Sequence, residues 1–165
     1  MDGSSDAFRD VMRRFPTGVT VVGAAYEGLK RGMTVNAFTS VSLDPHMVVI
    51  CISKDSGCHG LIENSGTFSV SVLSEDQSEL SGKFANHEEI EVHQFLGVDH
   101  HSGSLGNPLV DGAIAELECT VADRLPAGDH TLFVGKVASA RLISGKGPLI
   151  FYQSRYVKVG NSVED

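Results

Sequence analysis

Tryptophan is missing from this chain of 165 residues, and cysteine, with three residues, and proline, with five, are scarce. A small odd number of cysteines does not suit a disulfide framework, and a chain of this length buries enough apolar surface to fold without one. Basic residues are also few, since 13 Lys and Arg face 21 Asp and Glu, for a formal net charge of −8. This excess of negative charge argues against nucleic acid or an anionic membrane as a partner.

Several recognisable segments and motifs are also missing. The sequence has no apolar run of membrane-spanning length, no signal peptide at its acidic N-terminus and no internal repeat. It lacks a glycine-rich Rossmann fingerprint, a Walker loop and the Gly-x-Ser-x-Gly elbow of serine hydrolases. We therefore expect one domain over residues 1–165, with reduced thiols and a cytoplasmic location, that binds any dinucleotide without a Rossmann site.

Short stretches with strand character dominate what is present, and few helices separate them. Apolar and polar residues alternate over residues 67–73 and 113–125, which predicts strands, and the strand 67–73 should have one buried face and its serines on the other. The uninterrupted apolar run 46–52 instead predicts a strand buried on both faces. The predicted strands are 17–26, a stretch within 31–45, 46–52, 67–73, 113–125, 129–143 and the pair 149–152 and 155–159; the predicted helices are 6–14, 60–64 and 77–85. Glu27-Gly28 predicts a hairpin turn after the first strand, and Gly66 fits the C-cap of the second helix. About seven strands with short connections favour an antiparallel barrel over a doubly wound sheet.

The first predicted helix has a strongly apolar face. Ser5 can cap it, and Phe8, Val11, Met12 and Phe15 recur at helical spacing.

The stretch 31–45 is unusually rich in small and hydroxyl-bearing side chains, and it carries no carboxylate before Asp44. Its β-branched residues favour an extended backbone. Its polar side chains are Thr34, Asn36, Thr39, Ser40 and Ser42. They can line a wall that faces a flat, partly polar ligand, or they can belong to an edge strand with its hydroxyls in water.

The serine-containing segment 53–59 leads into the second predicted helix. The start of a helix presents unpaired N–H groups and the positive end of the helix dipole, which suit a phosphate group. Ser56 can equally serve as a plain N-cap, and the two interpretations are compatible.

A long polar segment, 86–107, contains His87, His93, His100 and His101. Adjacent histidines point to opposite sides of a strand, and neither a His-x-x-x-His pair nor a Cys-x-x-Cys clamp is present. We expect a solvated loop without a metal ion, and the sequence assigns no further role to it.

Four blocks, in this order, resemble the short-chain flavin reductases, the flavin-reductase-like group of FMN-binding split barrels. They are GMTVNAFTSVSLDP (32–45), SGTFSVSVL (65–73), LSGKFA (80–85) and GDHTLFVG (128–135), and the resemblance extends over about residues 8–156. It implies a mostly β fold, a six-stranded antiparallel split β-barrel with Greek-key connections and a few peripheral helices. It also implies an NAD(P)H:flavin oxidoreductase that transfers a hydride from NADH or NADPH to FMN or FAD.

The resemblance further implies which residues contact the cofactor. The flavin ring would lie along the first block. The ribityl chain and the phosphate would lie near the strand end at 51–53 and the helix start at 56–59. The end of the third helix would also lie close to the flavin. The implied cofactor-binding residues are Gly32, Met33, Thr34, Val35, Asn36, Ala37, Ser40, Ser42, Cys51, Ile52, Ser53, Ser56, Cys58, His59, Phe84 and Ala85. His130 matches a histidine associated with the nicotinamide, which gives it a positioning or electrostatic role; on residue type alone it can simply bond to Asp129.

The resemblance also implies partners: a homodimer with flavin near the subunit interface, and a flavin-dependent monooxygenase that receives the reduced flavin. The main alternative is a flavin-binding electron carrier on the same barrel without NAD(P)H activity. A pyridoxamine-phosphate-oxidase-like enzyme would need a basic cluster that Lys30, Arg31 and Lys54 do not form. An interaction module built on the histidine-rich segment is the third alternative. The sequence does not choose between FMN and FAD, between NADH and NADPH, or between flavin as substrate and as prosthetic group.

Overall fold

The computed structural model describes residues 5–86 and 94–160. Three helices are found there, α1 (Ser5–Met12), α2 (Gly57–Ser65) and α3 (Ser78–Ala85). The strands are β1 (Thr17–Gly18), β2 (Thr20–Tyr26), β3 (Leu29–Val35), β4 (Phe38–Leu43), β5 (His46–Ser53), β6 (Thr67–Val72), β7 (His100–Ser102), β8 (Pro108–Val110), β9 (Ala115–Ala127), β10 (His130–Leu142), β11 (Ile150–Tyr152) and β12 (Arg155–Val157). The fold is mostly β, as predicted.

The main sheet has seven antiparallel strands in the order β3-β2-β6-β9-β10-β5-β4. This corrects the expected count of six strands, because the stretch predicted within 31–45 contributes two strands, β3 and β4, one at each edge. No ladder joins those two edges in the described part of the chain, so the sheet is not closed. Only Asn36 and Ala37 separate β3 from β4 in sequence, so the sheet must curl until its edges approach each other at this corner.

Two hydrophobic clusters hold the curled sheet together. The larger one fills its interior with fully buried residues of β5, β6 and β10, among them Ile50, Ile52, Phe68 and Phe133, and α2 covers one end of it. The smaller one lies beneath α3 and includes Leu73, Phe84, Phe95 and Leu149.

Local sequence signals placed several turns correctly. The hairpin between β2 and β3 has positive φ at Glu27 (49°) and Gly28 (82°), the backbone that a two-residue type I′ turn requires. Ser56 caps α2, since its Oγ accepts a hydrogen bond from His59 N, and Gly66 ends the helix in the left-handed conformation.

Two predictions about strand burial are wrong. The apolar run 46–52 is not buried on both faces, because alternate residues of β5 are buried and its other face is partly open. In contrast, β6 is buried on both faces, because β8 covers its serine side. Ser69 Oγ donates to Pro108 O at 2.6 Å, and Ser71 Oγ accepts from Val110 N at 3.0 Å.

The segment around β7 and β8 crosses the outer face of the sheet and is held by buried polar groups. Glu118, 4% exposed, accepts hydrogen bonds from Ser104 N, Ser104 Oγ and Leu105 N at 2.7 to 2.9 Å. Asn107 donates to Thr67 Oγ1 and accepts from Ala25 N. These contacts tie the segment to β2, β6 and β9.

The apolar face predicted for α1 exists, but it is not buried. No residue of α1 is buried, and Phe8 and Val11 are each about two-thirds exposed (67% and 68%). The helix therefore presents an apolar surface on the outside of the described molecule.

Part of the histidine-rich segment falls outside the described residues, including His87 and His93. His100 and His101 belong to β7, where His101 Nδ1 lies 2.7 Å from Asp111 Oδ1. Within the described ranges, no set of three His, Cys, Asp or Glu side chains is placed to hold a metal ion. None of the described helices combines the length and the apolar character that crossing a bilayer requires.

Candidate functional site

A large cleft opens beside the corner where β3 turns into β4. Its volume is about 720 Å³, and its walls come from the segment after α1, from the corner and from β5 and β10. The lining residues are predominantly apolar: Met12, Phe15, Pro16, Thr17, Gly18, Thr20, Asn36, Ala37, Phe38, Thr39, Val49, Cys51, Val72 and Leu132. Such a cleft, apolar with a few polar groups on one side, suits a flat organic ligand.

The polar side of the cleft is the corner itself. Asn36 and Ala37 are exposed, and the Asn36 side chain has no hydrogen-bond partner within residues 5–86 and 94–160. One carbonyl of the corner is already used, because Ala37 O accepts from Cys51 N at 3.1 Å. The Asn36 amide, which can both donate and accept, is therefore available to a ligand in the cleft.

A second, smaller pocket lies at the start of α2, between β3 and the end of α3. It measures about 40 Å³ and is lined by Arg31, Gly32, Met33, Asp55, Ser56, Gly57, Cys58, Phe84, Asn86 and Gln94. A single water needs roughly 10–15 Å³ by this measure, so the pocket has room for a group of about three waters in size. Its polar lining and the helix start suit an anionic group.

The structure places some of the predicted cofactor-binding residues at the large cleft, some at the small pocket and the rest at neither. Asn36, Ala37 and Cys51 line the large cleft. Gly32, Met33, Ser56, Cys58 and Phe84 line the pocket at α2. The structure brings the remaining predicted residues to neither place; they are Thr34, Val35, Ser40, Ser42, Ile52, Ser53, His59 and Ala85.

Some of these side chains already have structural partners. Thr34 Oγ1 donates to Ser81 O at 2.7 Å and so ties β3 to α3. Ser42 Oγ accepts from Asp44 N, and Ser53 Oγ from Asp55 N. Val35 and Ile52 are buried in the core. Along a strand only alternate side chains face one side, so a continuous run of site residues could not all reach one ligand with their side chains.

Cys58 and His59 also turn inward. Burial raises the pKa of the Cys58 thiol to about 12 and outweighs the opposite effect of the Arg31 charge. The His59 ring packs edge-on against Phe133, and its Nε2 lies 2.8 Å from Thr131 Oγ1. The backbone N–H of His59 is also used, because it donates to Ser56 Oγ. The side chains of Cys58 and His59 are therefore not available to a ligand in the small pocket.

His130 begins β10 and is about one-third exposed (37%). Its Nδ1 lies 2.8 Å from Asp129 Oδ1, and the hydrogen bond from His130 is the main reason why the pKa of Asp129 is lowered from its ordinary value. An ionised carboxylate can only accept, so Nδ1 carries the proton and Nε2 of the neutral ring is an acceptor. Nε2 has no partner in the part of the chain that the structure describes.

The strand register places His130 at the rim of the large cleft. His130 and Leu132 project from the same face of β10, roughly 7 Å apart, and Leu132 lines the cleft opposite Cys51. His130 itself pairs with Ser53 at the end of β5. The partly exposed His130 imidazole, with Nε2 as its acceptor, therefore lies two residues along β10 from Leu132 of the cleft wall.

Residue-based reasoning missed several residues of the site. Phe15, Thr17 and Leu132 line the large cleft, and Arg31 and Gln94 line the small pocket. Leu132 could have been found from the two-residue periodicity that starts at His130. For Phe15 and Gln94 the sequence carries no such signal, because the fold brings them in from distant segments.

Comparison with known families agrees with this geometry. The family model described as "Flavin reductase like domain" matches residues 12–160. The chain belongs to that family.

Similar proteins fall in the same group. An NADH-dependent FAD reductase of Streptomyces globisporus is 42% identical over 150 residues, which are 90% of this chain and 82% of that protein. The reductase subunit HsaB of a flavin-dependent monooxygenase from Rhodococcus jostii is 33% identical over 152 residues, 92% of this chain and 76% of its own length. The solved structure of the Streptomyces globisporus NADH:FAD oxidoreductase SgcE6 with NAD and FAD fragments superimposes with a TM-score of 0.91 at 39% identity, over 98% of this chain and 96% of that one.

The residues of this flavin-reductase-like domain fit a flavin. The large cleft offers apolar walls to a fused ring and the Asn36 amide to its polar edge. The small pocket offers the start of α2, the Ser56 hydroxyl and a guanidinium to a phosphate. Gly32 lines the small pocket and Asn36 lines the large cleft. The two residues are four positions apart on one extended stretch and therefore roughly 13 Å from each other, a separation that suits the ring and the phosphate of one flavin.

Proposed function

We propose that this protein is an NAD(P)H:flavin oxidoreductase that transfers a hydride from NADH or NADPH to FMN or FAD. One observation carries the proposal: His130 lies at the rim of an apolar cleft whose polar side is the unpaired Asn36 amide. Family membership supports it, as does the naming of relatives as NADH-dependent FAD and flavin reductases.

When bound, the flavin supplies the hydride acceptor, and the protein's own residues provide position and exclude water. The apolar side chains of Phe15, Val49 and Leu132 bind the ring by removing its surface from water. The Asn36 amide would hold the polar edge of the ring, where a preorganised donor would stabilise developing negative charge.

His130 orients the second nucleotide. With Nδ1–H bonded to Asp129, its Nε2 accepts a hydrogen bond from the carboxamide NH₂ of the nicotinamide. Lys54 Nζ donates to Gly128 O at 2.6 Å, and this bond holds the turn that precedes His130. Hydride transfer needs no general base, so His130 acts by position.

The names of the relatives suggest the first substrates and partner to test. FAD and NADH come first, because relatives are described as NADH-dependent FAD reductases. A flavin-dependent monooxygenase is the partner that fits, since other relatives are reductase subunits of such systems.

We also propose a single domain over residues 1–165 whose sheet forms the split β-barrel of the family, with its edges meeting at the Asn36–Ala37 corner. A homodimer is consistent with the exposed apolar face of α1.

Anaerobic stopped-flow mixing of the protein with each pairing of FMN or FAD with NADH or NADPH tests the function. We expect loss of the oxidised-flavin absorbance at a rate that saturates with the nicotinamide concentration. An electron carrier on the same fold is the second candidate, and it would bind flavin without accelerating its reduction by either nicotinamide. Failure to bind either flavin would contradict both candidates.

A further inference from the structure

Arg31 lines the small pocket at the start of α2, although the sequence did not predict a cation there. It lies in β3 opposite Ala24 of β2, and its side chain packs on the first residue of α2. A Cβ added to Gly57 would lie 3.4 Å from both Cδ and Nε of Arg31. Its Nη1 donates to the carbonyl oxygen of Lys30 at 3.0 Å, which holds the side chain in place.

Arg31 has no ion-pair partner in the described part of the chain. The first turn of α2 contains no acidic residue, although a carboxylate there would stabilise the positive end of the helix dipole. A guanidinium therefore lies beside a helix N-terminus of like sign, an arrangement that an anion between them would stabilise.

The electrostatic effect reaches the interior of the same pocket. Burial is the dominant influence on Cys58 and raises its thiol pKa to about 12, while the Arg31 charge acts in the opposite direction. Arg31 is the only lysine or arginine among the residues that line the pocket, and Asp55 is the only acidic one. The guanidinium is thus the only full positive charge among the lining residues, and within residues 5–86 and 94–160 it forms no ion pair with Asp55.

The pocket also offers neutral donors and suitable room for an anionic group. Ser56 contributes a hydroxyl, and the volume of about 40 Å³ matches a small polar group rather than a ring system. A planar guanidinium can make two parallel hydrogen bonds to phosphate oxygens, which a lysine cannot.

We propose that Arg31 pairs with the phosphate of the flavin and makes the site select phosphorylated flavins, FMN and FAD, over riboflavin. The inference rests on the proposed function, because it assumes that the flavin occupies the cleft at the β3–β4 corner. Arg31 is then a specificity-determining residue, and hydride transfer itself does not involve it.

Titration of the purified protein with riboflavin, FMN and FAD, followed by flavin fluorescence, tests the proposal. Replacing Arg31 by Gln should weaken FMN and FAD binding about ten- to a hundredfold, the range expected for a charge-assisted hydrogen bond, and change riboflavin binding less than about twofold. Arg31→Lys keeps the charge but loses the paired geometry, so its FMN affinity should lie between the two. Lys30→Gln is the matched control, because Lys30 is adjacent and bonds Ser102 Oγ, and it should change none of the three affinities.

Salt provides a test that needs no variant. The affinity of the unaltered protein for FMN should fall as ionic strength rises, and its affinity for riboflavin should not. Salt dependence shows that charge contributes to FMN binding but does not name the cation. If circular dichroism shows that Arg31→Gln does not fold, the affinities of Arg31→Lys assign the contribution to Arg31.

Three results would overturn the proposal: equal weakening of riboflavin and FMN by Arg31→Gln, no change in FMN affinity, or salt-independent FMN binding. A rise in the KM for NADPH alone, with flavin affinities unchanged, would assign Arg31 to the phosphate of the nicotinamide nucleotide instead and also overturn it. If the unaltered protein bound no flavin at all, the proposed function would fail, and that outcome is distinct from a loss of phosphate selectivity.

Discussion

At the scale of single residues, His130 combines exposure with a fixed orientation. The hydrogen bond between its Nδ1 and Asp129 Oδ1 decides which ring nitrogen carries the proton, and the turn before β10 is fastened through Lys54. A ring held in this way can act on a second ligand at the cleft without belonging to the cleft wall.

Replacing His130 by Ala should raise the KM for NADH or NADPH, or slow flavin reduction, about tenfold, the effect of losing one well-placed hydrogen bond to a substrate. The affinity for oxidised flavin should stay nearly unchanged, because His130 does not line the flavin cleft. Steady-state kinetics and flavin titration measure the two effects. His46→Ala is the matched control, since His46 is an exposed histidine at the far end of β5. Unchanged kinetics in His130→Ala would remove this residue from the site.

The three cysteines differ in their surroundings, and their reactivity should follow. Burial raises the pKa of Cys58 and of Cys119 to about 12, with Glu118 adding to the effect at Cys119. Cys51 is only half-buried and lines the large cleft, although burial and the nearby Asp129 raise its pKa too.

Iodoacetamide at pH 8 should therefore label Cys51 slowly and leave Cys58 and Cys119 unmodified until the protein is unfolded, because the thiolate is the reactive form. Bound flavin should slow the labelling of Cys51 further, as a ligand in the cleft covers it. Peptide mass spectrometry identifies the labelled site, and Cys51→Ser should abolish labelling of the folded protein. Labelling of Cys51 at the same rate with saturating flavin would contradict the placement of the ring.

At the scale of elements, the sequence predicts strands and turns well where the signal is local. The Glu27–Gly28 hairpin, the Ser56 cap and the Gly66 helix end all depend on residues within one turn of each other. The period-two pattern also indicated β9 and β10, although their ends differ by one or two residues from the predicted ends.

The failures occur where distant segments decide the outcome. Ser69 and Ser71 read as a solvent face, yet β8, almost 40 residues later, covers them. Nothing in β9 indicates that Glu118 is buried, because its partners Ser104 and Leu105 precede the strand. The same reason explains the site: the corner residues Asn36 and Ala37 were predicted, whereas Phe15 and Leu132 reach the cleft only through the fold.

Glu118 should make stability depend on pH. Burial alone would raise its pKa, but hydrogen bonds from the Leu105 and Ser104 backbones and from the Ser104 and Ser139 hydroxyls together lower it below the ordinary value. A carboxylate whose pKa is lowered by folding stabilises the protein above the ordinary glutamate pKa, and this stabilisation is lost as the pH falls through the lowered folded value.

Glu118→Gln should therefore reduce the free energy of unfolding by roughly 2 kcal/mol at pH 7, the cost of losing a charged acceptor for buried donors. The difference from the unaltered protein should shrink as the pH falls below the ordinary glutamate pKa towards the lowered folded value, because the unaltered side chain then loses its charge as well. Urea unfolding at pH 7, 5 and 3.5 measures this. Glu63→Gln is the control, because Glu63 is an exposed carboxylate, and a pH-independent deficit in Glu118→Gln would contradict the argument.

At the scale of the whole molecule, large apolar side chains lie exposed together on and just after α1. On α1 alone, Phe8, Val11 and Met12 are 67%, 68% and 48% exposed, and Phe15 just after it is 66% exposed. An isolated helix of eight residues is not stable in water, so its stability must come from contacts of its apolar face. Met12 and Phe15 also line the large cleft, so whatever covers α1 borders the proposed flavin site.

A second copy of the chain is the partner that we expect on this face, and replacing both Phe8 and Val11 by Ser should therefore convert a dimer into a monomer. Light scattering after size-exclusion chromatography, at several protein concentrations, measures the mass. Leu96→Ser is the matched control, because Leu96 is equally exposed (76%) but lies in the segment after α3, and it should leave the dimer intact. A monomeric unaltered protein at every concentration, or a double variant that remains dimeric, would show that the α1 face is not the interface. If the double variant is monomeric and also binds FMN more weakly, the second subunit completes the cleft, since neither replaced side chain lines it.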